Sequence, residues 1–182
     1  MMKPLIPIFT LPLTVIAYPV YAVEYFTTEQ AQIALFGDKA KLTPSYVEMN
    51  DDQRDAIEDI SDVRQRWKTQ KAWKAYEDGQ FKGWFIIDKV IGKHEFITYA
   101  TAISPEGKVL GIEVMDYRET YGDQIRHDDW RAHFVGADKH SRLKLNKDIP
   151  NISGATLSCR NVTNGVKRLL ALYDVMLKNQ TQ

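Results

Sequence analysis

Residues 71–117 read KAWKAYEDGQFKGWFIIDKVIGKHEFITYATAISPEGKVLGIEVMDY. Short apolar runs alternate here with compact turn signals. Lys71 to Glu77 alternates through Ala72, Lys74 and Tyr76, and Asp78-Gly79 then turns the chain. Phe81 to Val90 is rich in aromatic and β-branched residues, and Gly92-Lys93 marks the next turn. Glu95 to Ile103 forms a third run, Pro105-Glu106-Gly107-Lys108 a tight turn, and Val109 to Tyr117 a fourth run. Strands joined by so few residues pair as an antiparallel meander.

Helices flank the meander. Upstream, Thr27 with Gln30 fits a capping box and Gly37 after Phe36 fits a helix stop. A second helix is expected from about Asp52 to Asp62, capped by Asn50 or Asp51. Its acids precede a basic run of Arg64, Arg66, Lys68, Lys71 and Lys74. The plain reading is a solvated acidic helix beside a solvated basic strand; a docking face would use the same charges. Downstream, Asp128 to Gly136 reads as a short capped helix. Val162, Val166, Leu169, Leu170, Tyr173, Met176 and Leu177 make one apolar stripe of a final amphipathic helix. Gly165 interrupts it, as a close backbone approach to the sheet requires. The fold class is α+β: an antiparallel meander packed by helices, in one domain.

The first residues form a separate object. Lys3 gives a positive start, Leu5 to Val20 is apolar, and Val20-Tyr21-Ala22 supplies small residues for cleavage. This is the layout of a secretory signal at 1–22, leaving 23–182 as the mature domain in the periplasm. The alternative is an uncleaved anchor, but Pro4, Pro7, Pro12 and Pro19 suit a spanning helix of ~20 residues poorly.

Lys and Arg total 24 and Asp and Glu total 24, so no broad positive field favours nucleic acid. Cys159 is the one cysteine, which rules out an internal disulfide, Cys-rich zinc sites and Cys-ligated iron–sulfur clusters. Redox chemistry therefore needs another cofactor. His127, His133 and His140 lack the spacing of a helical metal pair.

The chemistry-bearing motif is Ser153-Gly154-Ala155-Thr156-Leu157-Ser158, placed immediately before the final helix. A helix start leaves N–H groups unpaired and carries partial positive charge, which suits phosphate. Gly154 and Ala155 permit close approach, and Ser153, Thr156 and Ser158 supply hydroxyls. The same residues also suit an ordinary cap.

With Val162 and Gly165-Val166 behind it and Glu119-Thr120-Tyr121-Gly122 upstream, this motif resembles the FMN-binding domain family. That family includes the flavin-bearing G and C subunits of bacterial Rnf and Nqr membrane redox pumps. The resemblance implies FMN joined to Thr156 through a phosphoester by a flavin transferase. It also implies electron transfer with a membrane-bound redox protein. Glu119, Thr120, Tyr121 and Trp130 are candidate contacts to the ring or ribityl chain, Tyr121 as a stacking surface. Trp130 also reads as a core anchor, and Glu119 and Thr120 as backbone partners at a strand end. Where the family usually carries Asp three residues before the Ser, this chain has Pro150, with Asp148 the nearest acid. Two other readings stand beside the electron carrier: a small periplasmic flavin-dependent reductase, and a flavin-free accessory or sensor module.

Overall fold

The computed structural model describes residues 26–180; the expected signal segment lies outside them. Helix α1 (Thr28–Phe36) opens the described chain, and the expected capping box forms. Thr27 N donates to Gln30 Oε1 at 2.9 Å, and Gln30 N donates to Thr27 Oγ1 at 3.2 Å. Gly37 ends the helix at φ 82°. Helix α2 (Asp51–Ser61) repeats the device with Asn50 and Gln53, so Asn50 rather than Asp51 is its cap.

Four long strands form the meander: β3 (Thr69–Glu77), β4 (Gln80–Ile91), β5 (Phe96–Ile103) and β6 (Val109–Asp116). Each pairs antiparallel with the next. Two short strands absent from the sequence reading, β1 (Lys41–Pro44) and β2 (Val47–Glu48), pair side by side along the outer edge of β3. The expected basic strand is shorter than the charge pattern suggested. Arg64, Arg66 and Lys68 precede β3 in an irregular connection, because the buried Gln65 holds that segment down. Its amide donates to the Trp67 carbonyl at 2.8 Å.

The sheet has two covered faces. Trp84 and Ile86 of β4, Ile97 and Tyr99 of β5, and Ile112 and Val114 of β6 join the main core beneath α4 (Thr156–Leu172). Phe85, Ala100, Met115 and Trp73 alternate onto the other face, where α1 contributes Ala31 and Leu35. The period-2 side-chain alternation of strands thus feeds two layers. On α4 and the helical continuation from Tyr173, the expected stripe is buried from Val162 to Leu177 except for half-buried Met176. Each such side chain contributes roughly 2 kcal/mol by leaving water.

One polar cluster interrupts this core. Arg168 of α4 forms a buried ion pair with Asp88 of β4 and also donates to Gln65. The Tyr99 hydroxyl donates to Asp88 Oδ2 at 2.6 Å. Burial pushes the Tyr99 phenol well above its ordinary range, with the Asp88 charge adding to the effect. Gly165 fits the close approach read from sequence: a Cβ there would fall on the Tyr99 hydroxyl.

Arg168→Met should therefore lower stability by about 3–5 kcal/mol, because it strands the Asp88 charge in the core. Urea unfolding checks this. The double variant Arg168→Met/Asp88→Leu should recover more than half of the loss, and an equal or larger loss in the double variant contradicts the assignment.

Candidate functional site

Helix α4 begins differently from α1 and α2. Ala155 holds the N-cap position, no side chain caps it, and its first turn contains no acid. The N–H groups of that turn are left without a side-chain acceptor in a helix of 17 residues. The chain enters through a turn in which Ala155 N donates to the Ile152 carbonyl at 3.0 Å. Gly154 takes φ 81° in that turn, the left-handed geometry that glycine adopts without strain. Thr156, the first helical residue, is half-buried; Ser153 and Gly154 are exposed; Ala155 and Ser158 are buried; and Leu157 is exposed.

The segment after β6 is locked against this turn. Tyr117 is buried, and its hydroxyl donates to the Tyr121 carbonyl and lies 3.5 Å from Ser158 Oγ. Gly122 sits at φ 90° where a Cβ would overlap Ala155. Both features press the 119–122 loop onto the start of α4, and the 72% exposed Tyr121 lies beside Gly154.

The β4–β5 hairpin completes the site. Glu119 Oε1 accepts from His94 N at 2.6 Å and Glu95 N at 3.0 Å. Burial alone raises the Glu119 pKa, but the His94, Glu95 and Lys93 amides together outweigh it and hold the carboxyl below its usual range. A cleft of about 90 Å³ results, lined by Lys93, His94, Glu119, Thr120, Tyr121, Gly154 and Ser158.

The sequence candidates thus gather in part. Glu119, Thr120, Tyr121, Gly154 and Ser158 share the cleft wall, while Ser153, Ala155, Thr156 and Leu157 belong to the adjoining turn and helix start. Trp130 does not line the cleft. It packs against Phe134 with ring centroids 5.1 Å apart, and its indole N–H donates to the Pro150 carbonyl at 2.9 Å. It sits in α3 (Asp128–Ala132), where His127 holds the N-cap position without a side-chain bond. The expected cap is therefore missing and the helix is shorter than read. Asp148 is also committed elsewhere. Arg142 binds both its oxygens, Lys144 N donates to it at 2.9 Å, and these partners hold its carboxyl far below the ordinary range. Lys93, His94 and Tyr117 belong to the site but were not singled out from sequence, whereas Gly122 was read only as part of the upstream motif. The Gly92-Lys93 turn marked the hairpin without revealing what it packs against. Burial pushes the Cys159 thiol up, so it lies inert inside the first turn.

Chemically, this is a cradle for an anion with an exposed aromatic surface beside it. Open helix N–H groups and Lys93 suit phosphate. The enclosed volume is below the ~300 Å³ of a small-molecule pocket, so a bulky ring must extend beyond it toward Tyr121.

Residues 92–171 match the FMN-binding domain family. The fold is similar to the crystal structure of NqrC from Shewanella oneidensis, with a TM-score of 0.56 and 19% sequence identity, over 81% of this chain and 86% of that one. No curated protein matches the chain at a significant level.

If Glu119 braces the hairpin as an anion, its contribution is complete above the unfolded value near 4.5 and disappears as pH falls through the lower folded value. Urea midpoints of wild type and Glu119→Gln should therefore differ at pH 7 and converge at lower pH. A gap that persists unchanged into acid contradicts this.

Proposed function

We propose that this protein is an exported flavoprotein in which a phosphoester joins FMN to Thr156, and that it carries electrons for a membrane-bound redox partner. The observation that carries this reading is the start of α4. A 17-residue helix without a side-chain cap or a first-turn acid begins at Thr156, inside the stretch that matches the FMN-binding domain family. A phosphate esterified there would meet the helix N–H groups and the Lys93 ammonium. Gly154 keeps the approach open, and Tyr121 offers an aromatic face to the ring. Once bound, FMN supplies reversible electron transfer; the protein supplies position and charge. A covalent tether retains the cofactor outside the cytoplasm, which fits the secretory layout of residues 1–22. Maturation then requires a flavin transferase. The likeness to NqrC supports a membrane redox complex as the setting.

One observation favours the flavin-free module instead. Pro150 replaces the expected acid, Trp130 holds its carbonyl, and Asp148 is bound by Arg142, so no carboxylate is free at that point of the loop.

Co-expression with a flavin transferase separates the two. Wild type should gain the mass of one FMN less water and fluoresce in a denaturing gel, and Thr156→Ala should do neither. An unmodified wild type in the presence of an active transferase rejects the covalent flavin.

A further inference from the structure

A larger cleft, of about 490 Å³, shares the β4–β5 hairpin and α4 with the Thr156 site. Ile91 and Phe96 line it, whereas Lys93 and His94 of the same hairpin line the smaller cleft. Asn161 on α4 donates to the Ile91 carbonyl at 2.7 Å and ties the hairpin base to the helix.

The walls are apolar and open. Trp67, Ile91 and Phe96 are 47%, 44% and 53% exposed, so three large side chains are only about half covered around one cleft. Grouped exposure of this kind marks a binding surface more than chance does. The Trp67 ring is displayed on anchored backbone: buried Gln65 donates to the Trp67 carbonyl and accepts from Arg168. An aromatic held in this way loses little further freedom when a ligand stacks on it.

The rim has one sign of charge. Arg64, Arg66 and Lys89 are exposed, and no carboxylate lines the cleft. Among the described residues, no ion pair or side-chain hydrogen bond engages any of the three. Arg168 closes the floor but is neutralised by Asp88, so the uncompensated charge is that of the rim. The volume lies within the range of small-molecule sites, and the combination of apolar walls with a few convergent polar groups is the usual one.

We propose that this cleft binds a planar aromatic anion, a fused-ring carboxylate or sulfonate, with its rings against Trp67 and Phe96 and its anionic group at Arg64, Arg66 and Lys89. The inference does not depend on flavin at Thr156.

Calorimetry with naphthalene-2-sulfonate on the Thr156→Ala chain tests it free of any flavin. One-site binding is expected, weakening with salt. Trp67→Ala should reduce affinity about tenfold, and Arg64→Gln/Arg66→Gln about fivefold. Uncharged 2-naphthol should bind more weakly. Thermal melting identifies a variant that fails to fold, and Lys89→Gln then serves as the charge variant. Absent binding, affinity indifferent to these substitutions, or equal affinity for 2-naphthol overturns the proposal. So does loss of probe binding in FMN-bearing wild type, which would assign the cleft to the flavin ring.

Discussion

A guanidinium and a carboxylate meet in the space between α4 and the sheet, and the position of everything else at the functional end follows from that meeting. Arg168 and Asp88 are almost fully withdrawn from water, and Tyr99 donates to the same carboxylate. An ion pair in such a place adds little net stability, but it tolerates no mismatch. Sliding or rotating α4 would leave a charge without its partner. The apolar stripe alone would accept several helix positions at similar energy. The buried pair selects one, and Gly165 allows it by leaving room for the Tyr99 hydroxyl.

Fixing α4 fixes its first turn. Helices α1 and α2 each close their N-terminus with a reciprocal capping box, so two of their end N–H groups are satisfied internally. The longest helix forgoes this device and presents its open end at the surface beside Tyr121 and Lys93. Three segments distant in sequence hold that end in place. Glu119 braces the hairpin, Tyr117 ties its own loop to Ser158, and Trp130 fixes the Pro150 carbonyl at the entry. The scaffold is rigid around a site that is itself short of hydrogen-bond partners, which is how preorganised anion sites are built.

The meander was legible because turn pairs such as Asp78-Gly79 punctuate it at short intervals, and the final helix because its stripe spans several turns. The strands β1 and β2 were not, since four and two residues are too few to show a period and Pro44 argues against a strand. The helix start at Thr156 was legible through local physics, and the flavin attachment proposed there comes from the motif's resemblance. Lys93 and His94 were not, because the hairpin meets Glu119 across 25 positions of sequence. The Arg168–Asp88 pair spans 80 positions, and nothing in either neighbourhood announces the other. Trp130 shows the converse case: an aromatic read as a flavin contact reaches the motif only indirectly, through the Pro150 carbonyl.

The flavin attachment proposed above takes one hydroxyl of three. Ser153, Thr156 and Ser158 all lie within the motif, but Ser158 is buried and Ser153 precedes the helix. Thr156 alone of the three is both in the open first turn and partly exposed. Tandem mass spectrometry of the flavin-bearing peptide, fragmented with the phosphoester retained, reads the attachment site directly. The expected fragment ions carry the added mass from Thr156 onward and leave Ser153 unmodified. Added mass on Ser153 or Ser158, or a peptide without any, contradicts the assignment.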